Sequence, residues 1–502
     1  MMQKLALALF ICFFVLLRPY ILNSSGLWYY GDDQDYFAHA SSIVFGQFPS
    51  YKNEYLTIDK EYPQSSIGAG LLALPFVGAF SIIDRITCSS IVHQRTAQNI
   101  PASWTQFGFV FASCFYLCLG CFLLFMGLRE FVPQRAALVS IIVTVLCEGI
   151  PLYALRRPIF SHLSEFFVQS VFVFLFLRFI KIKPVRPLKN YFFVILGLMG
   201  ALVFLIRYNN LGFALGWPII ILLCLNLPMR QAKTWVQLAL TGSSFTAMVL
   251  FFKFYPETYN RHHPYQWVKS FMQVQMSVPD IINRVGHIVL GLDWGLLYTA
   301  PYILIGIAAL CFLKLPGRKR LFGLAAILLI NLYVVIIWGS QGGWYGYRYF
   351  IFSAIPLMVI PVAFFISRVE ERLKKTWLWA LIALLPVLSM LCFEGNNSTL
   401  DLNAGQVGFM GRSDFTNNLY QYHVWETVLF KFQEFCAILT KGGIMYLQFL
   451  IVKLLQLFGL CANAFFRLYD TFSIILLIKV TLILAIPFAM GAFLNKKFKD
   501  QV

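Results

Sequence analysis

The stretch Trp28-Tyr29-Tyr30-Gly31-Asp32-Asp33-Gln34-Asp35-Tyr36-Phe37-Ala38-His39-Ala40 decides how this sequence is read. It follows directly on the first long apolar run, 5–22. Three carboxylates therefore stand where a hydrophobic helix leaves the bilayer. The rest of the chain can be arranged so that other polar groups meet these carboxylates on one face.

The composition sets the frame. The 502 residues are 59% hydrophobic and only 12% charged, about half the usual charged share of a soluble domain. Apolar runs of spanning length recur from end to end, so the expectation is an all-α polytopic membrane protein with about 12 transmembrane helices. The expected spans are 5–22, 105–128, 136–150, 166–180, 191–206, 211–225, 235–254, 296–313, 321–338, 350–366, 377–393 and 472–494. Residues 1–393 read as the transmembrane catalytic module. Residues 394–502 read as an outer-face loop, an interfacial helix near 443–466 and a last span. The first run is long for a signal peptide and is expected to stay as an anchor.

The formal charge of +18 suggests nucleic acid until its placement is inspected, because Lys and Arg fall in short clusters between apolar runs. If the apolar stretch 67–83 does not span, one side receives Lys4, Arg129, Arg135, Lys181, Arg230, Arg318, Lys319, Arg320, Arg368, Arg372 and Lys496. That side is then cytoplasmic, with both termini, and 67–83 is a juxtamembrane or re-entrant helix on the outer face. Cys114, Cys118, Cys121, Cys147, Cys224 and Cys311 sit inside apolar runs without ligand-like spacing and read as small hydrophobes.

Five motifs then fall in order on the outer face. They are Asp32-Asp33 with Tyr36, Ala40 and Gly46; Glu61-Tyr62-Pro63-Gln64-Ser65-Ser66-Ile67-Gly68; Pro158-Ile159-Phe160-Ser161-His162; Gly291 to Pro301; and Gly342 to Phe350, which contains Tyr347-Arg348-Tyr349. In this order they resemble the outer-loop motifs of the GT-C superfamily of membrane glycosyltransferases. The likeness is to the polyprenyl-phosphate-sugar-dependent type that includes the protein mannosyltransferases and aminoarabinose transferases. The chain departs from that pattern at Gln64, where many members have a second proline, and at His162 and Glu165, where other branches place a metal-holding aspartate.

The resemblance implies an inverting transfer of a hexosyl or pentosyl group from a polyprenyl-phosphate donor to a glycan, lipid or protein acceptor. The residue chemistry is compatible with this. An acceptor hydroxyl needs a base, for which Asp32 and Asp33 are the candidates. A departing phosphate needs positive charge, for which Arg348, Arg156, Arg157 and Arg207 are the candidates. Tyr36, His162, Glu165 and Tyr347 are candidate supporting residues. No cofactor is certain; a divalent metal such as Mg or Mn would fall to Asp32 and His162. No Gly-rich phosphate loop is present, which disfavours a nucleotide-sugar donor. The implied setting is a bacterial inner membrane with the site on the periplasmic face, or the endoplasmic reticulum in a eukaryote.

Each residue also has a plainer reading. Asp32 or Asp33 can cap a helix starting near Tyr36, and Asp35 reads as a solvated helix-start charge. Arg348 among aromatics can be a snorkelling interfacial arginine, and His162 can be an ordinary hydrogen-bonded group. A transporter or flippase for a lipid-linked sugar is the main functional alternative, and a non-catalytic scaffold the second. Transporters tend to carry ionisable groups at mid-membrane and related halves, neither of which is evident.

Overall fold

The computed structural model describes residues 32–51, 63–87, 103–147, 150, 153, 159–181, 188–225, 227–228, 230–255, 277–290, 296–315, 317–338 and 348–372. The expected spans 5–22, 377–393 and 472–494, the interfacial stretch 443–466 and the segment 394–502 lie outside the described residues.

The described chain is helical. Its elements are α1 (Asp32–Val44), α2 (Gly68–Ile86), α3 (Trp104–Leu128), α4 (Gln134–Cys147), α5 (His162–Lys181), α6 (Asn190–Ile206), a 3-10 turn (Tyr208–Asn210), α7 (Leu211–Leu225), α8 (Ala232–Phe254), α9 (Val278–Leu290), the single turn α10 (Leu296–Thr299), α11 (Pro301–Phe312), α12 (Arg318–Trp338) and α13 (Arg348–Arg372). Six helical segments among the described residues are long and apolar enough to cross a membrane. The protein is a polytopic membrane protein.

Local chemistry sets where these helices begin and end. The first turn of α3 is capped twice: Ser103 accepts from the Gln106 amide at 3.2 Å, and the buried Asp84 carboxylate accepts from the amides of Trp104 (3.0 Å) and Thr105 (2.7 Å) and from the Thr105 hydroxyl (2.6 Å). Four amides at a helix start lack partners inside the helix, and a carboxylate satisfies them with favourable charge. Pro301 breaks the run expected at 296–313, because Ala300 before it adopts φ −142°, ψ 50° and the helix restarts at the proline. A single span there is replaced by α10 and α11.

Helix α5 is the axis of the bundle, packed by α3, α7 and α13. It is buried through most of its length, with Phe166, Phe172, Phe176 and Leu177 fully buried, and opens to the surface only in its last turn. Helix α2 runs antiparallel to the first half of α3: Asp84 meets Thr105, Phe80 meets Phe107, Phe76 meets Phe115, and the Tyr116 hydroxyl donates to Leu72 O at 2.8 Å. It starts where α6 ends, through Ser66 donating to Ile206 O at 2.5 Å. A side chain at Gly68 would collide with the backbone of Leu205 and Ile206, so only glycine lets the two segments touch here.

The bundle has two unlike ends. At one, Lys181 on α5 meets Glu130 after α3 at 2.9 Å, Arg135 on α4 meets Glu370 on α13 at 3.7 Å, Arg320 on α12 donates to Leu223 O at the end of α7, and Gly317 packs against Ile180. Among the described residues these basic groups thus gather at one end. At the other end stand α1, the start of α5, the turn after α6, and the first turns of α7 and α13.

Candidate active site

Helix α1 lies against the polar end with its acidic first turn turned inward. Asp33 and Asp35 are fully buried, whereas Asp32 is partly exposed. Asp35 is not a solvated charge. Its Oδ2 accepts from the amides of Gln64 (3.0 Å) and Ser65 (3.1 Å) and from the Ser65 hydroxyl (3.2 Å). One turn on, His39 holds the same segment: its Nε2 lies 3.0 Å from Ser65 O, which can only accept, so Nε2 carries the hydrogen. Nδ1 then accepts from the Tyr51 hydroxyl at 2.6 Å. Burial lowers the His39 pKa to about 4, from 6.5, and raises that of Tyr51. Asp35 and His39, four residues apart, therefore clamp the Gln64–Ser65 segment to α1. This helix is fixed in place, and it carries Asp32, Asp33 and Tyr36 with it.

Tyr36 reaches across to α5. Ser161, just before α5, donates to the Tyr36 oxygen at 3.0 Å and accepts from Arg207 Nε at 3.1 Å. Arg207 is 5% exposed and ends α6 in an extended conformation, φ −155°, ψ 123°. Its Nη2 donates to His162 Nε2 at 3.3 Å, and its Nε is 3.4 Å from Glu165 Oε2. The other carboxylate oxygen of Glu165 accepts from Asn210 Nδ2 at 2.7 Å and from Ser353 at 2.5 Å. The Ser353 hydroxyl also lies 2.8 Å from Asn210 Oδ1, which accepts from Asn331 Nδ2 at 3.2 Å. One connected network thus joins α1, α5, the α6–α7 turn, α12 and α13. Every member is buried.

The sequence-selected residues divide accordingly. Tyr36, His162, Glu165 and Arg207, from three distant segments, come together; Asp33 is one helical turn from Tyr36, on the same side of α1. Arg348 is the first residue of α13, five positions before Ser353. Its side chain lies outside the described residues, as do Arg156, Arg157 and Tyr347. Ser161, Asn210, Asn331 and Ser353 were not singled out. Asn331 and Ser353 left one signal, a hydrogen-bonding group inside an otherwise apolar run.

His162 does not fit a metal. Its Nε2 already accepts from a guanidinium, its Nδ1 faces Glu165 Oε2 at 3.9 Å, and its ring is stacked on Phe160 and edge-on to Tyr153. The cationic partner of Glu165 is Arg207. Among the described residues no three His, Cys, Asp or Glu side chains gather as a metal site.

No family model matches the sequence, and no curated protein is significantly similar to it. Among solved structures, the chain is similar to the crystal structure of ArnT from Cupriavidus metallidurans in the apo state, with a TM-score of 0.42 and 15% identity, over 89% of this chain and 74% of that one. A likeness of that size assigns no role to any residue here.

Proposed function

We propose that this chain is an inverting membrane glycosyltransferase that moves a sugar from a polyprenyl-phosphate donor to a glycan, lipid or protein acceptor. The reaction takes place at the end of the bundle opposite the basic loops, the periplasmic face of a bacterial inner membrane. The observation that carries the reading is the meeting of an acidic helix start with a buried Arg207–Glu165 network at that end.

In this reaction Asp33 or Asp32 takes the proton of the acceptor hydroxyl as that oxygen attacks the anomeric carbon from the face opposite the phosphate. The bond from that carbon to the phosphate oxygen breaks, and its electrons leave with the polyprenyl phosphate. Arg207, aided by Arg348, supplies positive charge as the phosphate departs. Asp32 is the more accessible acid and Asp33 the better oriented, since it shares the Tyr36 side of a clamped helix. No step runs through a metal.

Depth in the helices disfavours the transporter. Glu165 is three residues inside the start of α5 and Asn331 seven residues from the end of α12, so the network lies within about 10 Å of the helix ends. Transport sites of ionisable residues favour the midplane.

The test is sugar transfer to endogenous acceptors in membranes carrying the native chain, Asp32→Asn or Asp33→Asn at equal protein level, supplied with polyprenyl-phosphate sugars. Loss of one general base lowers the rate by about a hundredfold or more. Full activity in both variants would make the acidic pair a helix cap. No transfer by native membranes from any donor would favour transport.

A further inference from the structure

Lys253 lies near three aromatic rings, whereas Lys189 and Arg318 each lie over one. It is the penultimate residue of α8, at the end of the bundle that holds the candidate site, and it is half-buried. Its ammonium lies 4.9 Å from the centre of the Tyr208 ring, 5.3 Å from that of Phe204 and 5.8 Å from that of Phe254. Among the described residues no carboxylate lies within 4 Å of it. At the basic end Lys181 meets Glu130 and Arg135 meets Glu370, while Arg318 lies over the Phe322 ring.

Three further observations define the surroundings. Tyr208 directly follows Arg207, so the ring that carries the ammonium belongs to the turn that supplies the buried guanidinium. The ammonium lies over Phe204 and Tyr208, while its helix neighbours Leu250, Phe251 and Phe254 are 53%, 47% and 43% exposed. Phe48, from the turn after α1, sits on Phe251, Phe252 and Tyr255, which ties the α8 end to the acidic helix. The result is a cation on aromatic faces with an exposed apolar helix face beside it and the site behind it.

Ring faces give an ammonium about 0.5–2 kcal/mol, and a charge-assisted contact to an anion adds about 1.5–3 kcal/mol on top of that. The apolar face beside it suits a hydrocarbon chain. We infer that Lys253 is a binding residue for a lipid-borne phosphate at the bilayer-side rim of the site, and that the lipid is the prenyl phosphate donor, its chain lying along Leu250, Phe251 and Phe254. This inference rests on the proposed function for the identity of the donor but not for the existence of the site.

The experiment is binding to the full-length purified protein in neutral detergent, read as a ligand-induced rise in melting temperature over a concentration series. The probes are farnesyl phosphate, farnesol and phosphatidylglycerol. Farnesyl phosphate should bind the native chain, farnesol far more weakly, and phosphatidylglycerol should not compete. Lys253→Gln should weaken farnesyl phosphate about five- to thirtyfold, the loss of one charge-assisted contact, and Lys253→Arg should retain most of the affinity. A Lys253→Gln chain that melts like the native one without ligand shows that the fold is intact; if it does not, Phe204→Leu, which removes one ring of the cradle, is the second variant and should weaken binding severalfold. Equal affinity of native and Lys253→Gln chains, or equal competition by phosphatidylglycerol, overturns the inference. The outcomes separate from the transfer assay. Lys253-dependent binding with no sugar transfer sinks the proposed function and keeps the site, whereas transfer that depends on Asp32 or Asp33 with Lys253-independent binding does the reverse.

Discussion

The two ends of the bundle each carry a glutamate paired with a cation, and the shorter pair is the weaker one. Glu130 and Lys181 approach to 2.9 Å with side chains 29% and 42% exposed, and Glu165 and Arg207 stand at 3.4 Å with side chains 1% and 5% exposed. In water an ion pair replaces good hydration with a modest attraction and holds two long side chains still. Inside a bundle neither charge has water to return to, so each makes the other tolerable. Distance alone therefore misranks them, and burial restores the order.

The largest effect should follow from breaking the buried pair on one side only. Glu165→Ala takes the carboxylate away from beside the buried Arg207 guanidinium, which should cost about 3–5 kcal/mol and lower the melting temperature strongly. The double change Glu165→Leu with Arg207→Met removes both charges and should recover much of that loss, though not activity. Thermal unfolding of the three chains checks this. If the double variant melts no higher than Glu165→Ala, desolvated charge is not what the pair resolves, and the contrast between the ends is wrong.

A second effect sharpens the contrast, because the site end also buries a titratable group whose ring nitrogens meet neutral partners. His39 is held neutral between Ser65 O and the Tyr51 hydroxyl, with its pKa lowered to about 4 from 6.5. The folded protein therefore resists a proton that the unfolded chain accepts below about 6.5. Stability is fully present above 6.5 and is lost as pH falls from there toward 4, by up to about 3 kcal/mol. Melting temperatures across that range should decline for the native chain and decline less for His39→Gln. An identical slope in both chains would place the titration elsewhere.

Much of this was legible in the sequence, for reasons that also explain what was not. Spans must be apolar over their length, so the runs that became α3, α6, α7 and α12 were found within a few residues. Helix α5 begins at His162 rather than Phe166 because His162, Ser164 and Glu165 are polar yet buried, and hydropathy counts polar residues as outside. Arg207, Glu165, His162 and Tyr36 stood out because polar groups at span ends on one face have only each other to meet. Asn331 and Ser353 did not, being small and uncharged. Asp35 was misread since its partners are 29 and 30 residues away, and no local pattern announces that Ser65 will come to it.

The smallest effect belongs to the exposed pair, and it completes the comparison. Lys181 donates to both the Glu130 carboxylate and the Glu130 carbonyl at 2.9 Å, and the carboxyl is held below its usual pKa chiefly by that hydrogen bond. For a carboxylate depressed in the folded state, the contribution is present above the ordinary value near 4.5 and disappears as pH falls through the lower folded value. Water and salt discount it, so Glu130→Gln should cost no more than about 1 kcal/mol near neutral pH. The cost should shrink further between low salt and molar salt, where charges more than about 3 Å apart are screened. Glu165→Ala, shielded from ions, should lose the same stability at both. A salt-insensitive loss at Glu130 approaching that at Glu165 would mean that the basic end is as closed to water as the site, and the asymmetry on which the base, the phosphate cations and Lys253 are assigned to one end would have to be drawn again.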